Sequence, residues 1–256
     1  MFLDTYKILR NLGKQYIPDI TKPVLPELFR GRPEIAAKNC ATACTICVDD
    51  CPIEEAILLD PVRIDIGKCV FCNECAHSCP EQKIKFTNDY KIATNVRNRL
   101  IVAEGQTDAI ELDPDKVRKE IVSYFGNSLK LRQISAAGDN SAEMEMNACS
   151  NVNFDMGRWG IDWVASPRHA DGIVITGVIS ENMAEAVQIC YDAVPDPKII
   201  ILAGTDAISG GIFANSPAVN RSFLDKYEID LYVPGNPPHP LTFINGVLEM
   251  IRSRKK

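Results

Sequence analysis

The chain has 256 residues, of which 46% are hydrophobic and 24% charged, a profile typical of a soluble globular protein of one or two domains. Its net charge of −6 and pI near 5.2 argue against nucleic acid as a partner. The sequence has no apolar run long enough to span a bilayer, and charged residues interrupt its N-terminal stretch. We therefore predict no transmembrane segment and no secretory signal, and expect a cytoplasmic protein.

Apart from one helix at its start, the sequence predicts little regular structure in the first part of the chain. Residues 1 to about 15 indicate an amphipathic helix, with Phe2, Tyr6 and Leu9 along one face. Eight of the ten cysteines then fall between Cys40 and Cys79. In a cytosolic protein, clustered cysteines indicate a metal site more often than disulfides.

The second part alternates strands and helices. The stretch ELDPDKVRKEIVSYFG predicts a helix with Pro114 in its first turn, and LKLRQI, GIVITG, KIIILAG and DLYVPG predict short buried strands. ENMAEAVQICYDAV and the stretch after Pro240 predict helices. This alternation predicts an open α/β domain with a parallel sheet. We place a cysteine-rich module at residues 1–88, a linker at 89–115 and the α/β domain at 116–256.

Two cysteine motifs carry the chemistry of the first module. CVFCNECAHSCP has the C-x2-C-x2-C-x3-C-P spacing that holds a [4Fe–4S] cluster and lends its fourth cysteine to a second one. CATACTICVDDCP differs only in its first spacing, which is x3. Alternating assignment predicts two [4Fe–4S] clusters, one on Cys40, Cys44, Cys47 and Cys79, the other on Cys69, Cys72, Cys75 and Cys51. Zinc, structural thiols without a metal, and a Cys40 that is not a ligand are the alternatives. We interpret His77 as a surface spacer or a donor to sulfur.

Longer stretches carry two family resemblances. LPELFRGRPEIAAKNC followed by the double cysteine motif resembles the two-cluster ferredoxin subunit of respiratory complex I and its hydrogenase relatives. WGIDWVASPRHADGIVITGVISENM, GTDAISGGIF and DLYVPGNPPHP resemble the small subunit of energy-converting [NiFe] hydrogenases and the complex I subunit that holds the terminal cluster. The resemblance implies a fusion of two electron-transfer subunits, with a ferredoxin-like domain before a flavodoxin-like parallel sheet.

The second resemblance also implies a further cluster, whose ligand positions no longer carry cysteine. Those positions correspond to Asp139, Ala142, Asp206 and Asn236. Oxygen ligands suit hard cations or water better than an iron–sulfur cubane, so we predict that this cluster is lost and the fold is kept. Two interpretations stay open for the pocket: a hydrogen-bonded plug, or a bound cation or a proton path that includes Glu145.

Five other side chains lie outside these ligand positions. We expect Cys149 and Cys190 to be buried free thiols and His239 to be a loop residue. Arg168 and His169 correspond to a segment that faces the large subunit in the resembling family, although a solvated turn explains them equally well.

The resemblance implies a subunit without an active site of its own, in an oxidoreductase complex of the hydrogenase or quinone reductase type. It would lie on the cytoplasmic face of the membrane, with a hydrogenase large-subunit-like protein and membrane-arm subunits as partners and a donor such as ferredoxin. The alternatives are a non-redox scaffold whose clusters only stabilise the fold, and a small subunit that feeds a NiFe or quinone site by another path.

Overall fold

The computed structural model describes residues 2–13 and 15–253 of the chain. Its strands are β1 Pro33–Ile35, β2 Ile57–Leu58, β3 Arg63–Asp65, β4 Ile84–Phe86, β5 Ile101–Ala103, β6 Leu129–Ser135, β7 Ile161–Trp163, β8 Gly172–Thr176, β9 Ile199–Ala203 and β10 Leu231–Val233. Its α-helices are α1 Phe2–Leu12, α2 Ile46–Asp49, α3 Glu74–His77, α4 Lys119–Phe125, α5 Ser141–Ala148, α6 Glu181–Ala193, α7 Thr205–Ser209, α8 Ser222–Lys226 and α9 Pro240–Ile251. Short 3-10 helices lie at Arg97–Leu100, Met156–Trp159, Pro167–His169 and Gly211–Phe213.

Five parallel strands form the main sheet, in the order β10-β9-β8-β6-β7. Counted along the chain from β6, this is the strand order 2-1-3-4-5 of flavodoxin-like domains. Every residue of β8 and β9 is buried, as expected for central strands covered on both faces. The predicted fold class is confirmed, as are the four predicted strands. The edge strand β7 had not been predicted, because its three residues include the charged Asp162 and form no continuous apolar run.

Helices cover both faces of this sheet. The helix α9 is buried along almost its whole length and packs with α4 and α5 over one face. On the other face, residues of α6, α7 and α8 form a hydrophobic core that continues into the cysteine module through Cys47, Cys69 and Cys75. The two parts of the chain therefore share one apolar core.

The helix predicted with Pro114 in its first turn begins later, at Lys119. Pro114 lies in a turn in which the Lys116 N–H donates to the Asp113 carbonyl at 3.1 Å. Arg118 is extended, with φ −61° and ψ 135°, and its guanidinium bonds both carboxylate oxygens of Asp230 at 2.9 Å. This long-range ion pair accompanies the extended backbone at the residue before the helix.

The cysteine module contains two small antiparallel sheets, β1-β4 and β2-β3-β5. Its two cysteine motifs have the same local structure, because each places its third cysteine in a four-residue helix, Cys47 in α2 and Cys75 in α3. The strand β5 belongs to the segment 89–115, and Thr94 of the same segment bridges Tyr232 in β10. This segment thus contacts both the module and the edge of the parallel sheet.

The helix predicted at residues 1 to about 15 is observed as α1, while Met1 and Lys14 lie outside the described residues. Every residue of α1 is exposed, and Phe2 has 87% of its surface accessible. The apolar side chains of α1 are therefore not part of either core.

Candidate functional site

The structure gathers Cys40, Cys44, Cys47 and Cys79 into one group. Burial raises the pKa of the Cys47 thiol, and the nearby Cys79, Cys40 and Cys44 thiols raise it further. Cys40 is exposed at the wall of an open pocket formed by residues 38–45, 59–62, 83 and 104. This first group therefore has one side open to solvent.

Cys51, Cys69, Cys72 and Cys75 form a second group around one small cavity. Ile57, Ile64 and Phe86 are among the apolar residues that complete its walls. Burial, reinforced by the neighbouring thiols, raises the pKa values of Cys69 and Cys75 to about 12. These thiols are neutral in the metal-free chain, so binding of a metal cluster releases protons.

The fourth cysteine of each motif lies with the first three of the other motif. The two groups are also neighbours, because Cys47 contributes to the raised pKa of Cys75. Their chemistry fits iron–sulfur clusters, since each group offers four soft sulfur donors, in largely apolar surroundings at the second group and beside solvent at the first. Whether these eight cysteines bind clusters stays a prediction.

Among the described residues, no group of three or more His, Cys, Asp and Glu side chains is arranged around a single metal ion. In a cubane cluster each thiolate binds a different iron atom, so the ligands surround a cage and do not converge on one point. The four cysteines of the second group line one small cavity.

Hydrogen bonds to sulfur differ between the two groups. In the first group, the Lys83 backbone N–H donates to Cys79 Sγ at 3.4 Å, and the Lys83 ammonium donates to Cys40 Sγ at 3.7 Å. In the second group, the Phe71 backbone N–H donates to Cys69 Sγ at 3.3 Å. Such bonds stabilise thiolate charge and tune a bound cluster.

The four positions that lack cysteine are brought together by the segments that follow β6, β9 and β10, with Ala142 in α5 and Asp206 in α7. Asn236 Nδ2 donates to Asp206 Oδ1 at 3.4 Å. A Cβ built at Gly204, two residues before Asp206, would lie 3.8 Å from Ala142 Cβ. Asp139 is close enough for its charge to act on Asp206. The pocket thus contains two carboxylates and an amide, a set of hard oxygen donors that does not fit an iron–sulfur cluster.

We call the site of Asp139, Ala142, Asp206 and Asn236 the vacated pocket. The pKa values of its two acids shift in opposite directions. Burial first, and then the charges of Asp139 and Glu143, raise the pKa of Asp206 to about 6. Asp139 Oδ1 accepts from Ser141 N and Ser141 Oγ at 2.9 and 2.6 Å, and these bonds lower its pKa. Asp139 thus lies in the turn before α5 as an ionised carboxylate, whereas Asp206 takes up a proton near pH 6.

Sequence reasoning missed Glu143. Its side chain is buried, and its Oε1 accepts from Thr176 Oγ1 at 2.6 Å, while its Oε2 has no hydrogen-bond partner. Its only sequence signal was an acid within SAEMEMNA, which does not distinguish it from Glu145. Glu145 instead lines a cavity with Asn236 and His239, and burial raises its pKa.

The second cysteine group adjoins the vacated pocket. Thr205 Oγ1, one residue before Asp206, donates to the Cys69 carbonyl oxygen at 2.9 Å, and this bond is buried. Asn215 donates to Glu54 at 3.0 Å on the exposed side of the same contact. The loop that follows β9 therefore joins the two halves of the chain directly.

The remaining predicted residues lie apart from these groups. His77 is exposed and hydrogen-bonds Asn73 at 2.9 Å, and Arg168 and His169 lie on a 3-10 helix with none of its residues buried. Cys149 is fully buried and donates to the Glu145 carbonyl oxygen, whereas Cys190 is only half-buried in α6.

His239 differs from its interpretation as a loop residue. Its Nδ1 accepts from the Leu241 N–H at 3.2 Å, so it caps the N-terminus of α9. Phe29 and Phe154 pack edge-on against its ring, and burial lowers its pKa.

Comparison with known proteins decides the family. The family model for the NADH ubiquinone oxidoreductase 20 Kd subunit matches residues 140–250. An NADH-quinone oxidoreductase subunit of Heliobacterium modesticaldum is 36% identical over 159 residues, which are 60% of this chain and 89% of that protein. The chain belongs to the NADH ubiquinone oxidoreductase 20 Kd subunit family.

A further relative is named as a subunit of a membrane-bound complex. A probable membrane-bound hydrogenase subunit of Pyrococcus furiosus is 32% identical over 129 residues, 50% of this chain and 77% of that protein. A chain in the structure of an archaeal membrane-bound sulfane sulfur reductase has 30% identity and a TM-score of 0.43, over 50% of this chain and 72% of its own. In the described part of this chain, no helix has the length and apolarity needed to cross a bilayer.

Proposed function

We propose that this family member is an electron-transfer and scaffold subunit of a membrane-associated complex related to hydrogenases and complex I. In this proposal, residues 1–88 are a ferredoxin-type module with two [4Fe–4S] clusters, and the α/β domain holds partners in place. The observation that carries it is the gathering of eight cysteines into two neighbouring groups of four.

The cysteines divide between the clusters by group. Cys40, Cys44, Cys47 and Cys79 are the proposed ligands of the first cluster, and Cys51, Cys69, Cys72 and Cys75 are those of the second. When bound, each cluster accepts and releases one electron. The protein keeps the two sites adjacent, shields the second with Ile57, Ile64 and Phe86, and supplies the hydrogen bonds to sulfur.

The scaffold role of the α/β domain rests on the vacated pocket. Its hydrogen-bonded Asp206 and Asn236 favour the plug interpretation over a further redox centre. The proposed partners are a hydrogenase large-subunit-like protein and membrane-arm subunits, because relatives belong to a membrane-bound hydrogenase and to NADH-quinone oxidoreductases. A ferredoxin is the proposed electron donor, and the cytoplasmic face of the membrane is the proposed location.

Iron and acid-labile sulfide analysis of the anaerobically purified chain tests the cluster content. Two cubanes give about eight irons and eight sulfides per chain. About twelve irons would place a further cluster in the chain, and zinc in place of iron would end the relay proposal.

A second function is favoured by the position of Cys47, Cys69 and Cys75 in the shared hydrophobic core. Clusters bound there contribute folding free energy, so a purely structural role is physically sound. Redox titration followed by electron paramagnetic resonance separates the two functions. A relay requires both clusters to be reducible at the potentials of its partners, whereas a scaffold does not.

A further inference from the structure

The two cysteine groups differ in the charge that the protein places beside them. Lys83 lies at the first group and has only 4% of its surface exposed. Its ammonium contacts Glu104 Oε2 at 2.7 Å, the Lys38 carbonyl oxygen at 2.6 Å and Cys40 Sγ at 3.7 Å. An ammonium has three N–H donors, so these three partners hold it in one orientation, with one donor directed at sulfur.

The surroundings of the second group are different. The bond to Cys69 Sγ comes from a neutral backbone N–H, that of Phe71, and the cavity walls include Ile57, Ile64 and Phe86. Arg30 approaches this group, but it donates to the Cys72 carbonyl oxygen at 3.0 Å and is itself exposed to solvent. Water and salt screen an exposed charge far more than a buried one.

This difference acts on the energy of an added electron. Reduction of a cluster adds one negative charge, which a fixed cation at short distance stabilises, and the ion pair between Lys83 and Glu104 reduces the size of this effect. Solvent access acts in the same direction, and the first group has the exposed Cys40. Cluster charge, hydrogen bonds to sulfur and solvent exposure are the features that set iron–sulfur potentials.

We propose that Lys83 makes the first cysteine group the electron sink of the pair. The inference rests on the proposed function, because it needs a cluster at each group. When the pair holds one electron, that electron leaves the site of Cys51, Cys69, Cys72 and Cys75 and is held at the site of Cys40, Cys44, Cys47 and Cys79. One site is oxidised by one electron and the other reduced by one electron, with Lys83 as a positioning residue that stabilises the gained charge.

The location of the sink sets where electrons collect. The second group adjoins the α/β domain through the bond between Thr205 and Cys69, whereas the first group opens to solvent beside residues 38–45. An electron at rest therefore lies at the solvent-facing end of the module, where a diffusing redox protein can reach it.

The test is a redox titration of the iron-loaded full chain, followed by electron paramagnetic resonance. The original protein is expected to be reduced in two steps. Lys83→Met should move the higher step to more negative potential and leave the lower step in place, with iron content unchanged. Lys83→Arg keeps the cation, so the higher step should stay close to its potential in the original protein.

Glu104→Gln gives a result of opposite sign and keeps the test open if Lys83→Met does not fold. Removing the carboxylate leaves the ammonium less neutralised, so the higher step should move to more positive potential. A merely structural role for the Lys83–Glu104 pair would not produce shifts of opposite sign. Arg30→Met is the matched control at the second group, where the exposed cation should change the lower step only slightly.

Two outcomes separate this inference from the function on which it rests. Two titrating clusters with the higher step unmoved in Lys83→Met, or with Glu104→Gln shifting it negatively, would overturn the role of Lys83 and leave the proposed function intact. A chain without iron–sulfur clusters would overturn both the role of Lys83 and the proposed function.

Discussion

The cysteine module and the vacated pocket are built in the same way but offer different atoms. Each gathers side chains from distant stretches of chain, and Thr205 joins them by its bond to the Cys69 carbonyl oxygen. The module presents soft thiols, several of them raised in pKa by burial, whereas the pocket presents Asp139, Asp206 and Asn236. A similar assembly of distant segments thus holds sulfur donors in one region and oxygen donors in the other, because backbone geometry and donor identity depend on different residues.

The largest expected effect comes from removing a thiol of the module. Cys75→Ser should lower the iron content from about eight toward about four per chain, because one cluster loses a buried ligand. Loss of a metal centre within the core should also destabilise the fold by at least about 4 kcal/mol. Metal analysis and urea unfolding under anaerobic conditions measure both effects.

The matched control is Cys190→Ser, a half-buried thiol of α6 outside both groups. We expect unchanged iron and a cost below about 1 kcal/mol. Equal loss of iron in the two variants would contradict the assignment of the groups.

Placing cysteines in the vacated pocket tests whether donor identity alone distinguishes it from the cysteine module. The combined variant D139C/A142C/D206C/N236C should raise the iron content from about eight to about twelve per chain, because the loops already bring the four positions together. Serine at the same four positions is the control, since it has similar size and no thiolate. If iron stays at about eight in the cysteine variant, the pocket has lost its geometry as well as its ligands.

We expect the absence of a side chain at Gly211 to leave room for the Asp206 carboxylate in the vacated pocket. Gly211 has a φ of +52°, and an added Cβ would clash with Asp206 Oδ1. Gly211→Ala should therefore destabilise the protein by about 2 kcal/mol, mainly from backbone strain, with a smaller part from displacement of the flexible Asp206 carboxylate. Thermal or urea unfolding measures the loss.

Gly105→Ala is the control, because Gly105 has a φ of +74° and an added Cβ would meet only Ala37 Cβ, at an ordinary contact distance of 3.5 Å. Its cost should be only the conformational part, about 1 kcal/mol. In an Asp206→Ala background, Gly211→Ala should cost less than in the original protein. Equal costs in the two backgrounds would mean that the Asp206 carboxylate is not what the methyl group displaces.

The smallest expected effect is the pH dependence of Asp206. Its pKa rises from an ordinary value of 3.8 to about 6 on folding, so the folded chain holds this proton more tightly than the unfolded chain. Its favourable contribution is therefore present below about pH 4 and is lost as the pH rises through about 6. Asp206→Asn should be more stable than the original protein by about 1 to 2 kcal/mol at pH 7, with the gain vanishing near pH 4.

Urea unfolding of both proteins between pH 4 and pH 7 measures this difference. Both proteins must be compared at each pH because burial also raises the pKa values of Glu145, Asp230 and Glu249. A constant difference across the pH range would show that Asp206 is ionised in the folded protein at every pH tested.

Much of the fold could be predicted because its signals are local. The runs KIIILAG and GIVITG are continuous and apolar, and they form the buried central strands β9 and β8. Pro240 at the start of an apolar pattern correctly predicted α9. The start of α4 was wrong, because the backbone at Arg118 is extended where its side chain bonds Asp230, a residue distant in sequence.

The candidate site likewise has features set by local sequence and features set by long-range contacts. Cysteine spacing by itself determined which residues are candidates for a cluster, since motif geometry is set within a dozen residues. Only the tertiary structure decided the buried environment of Glu143, the capping role of His239 and the contact of Lys83 with Cys40. Each of these depends on burial or on a partner from another segment. Local sequence cannot predict burial or such partners, because both arise only when the chain packs against itself.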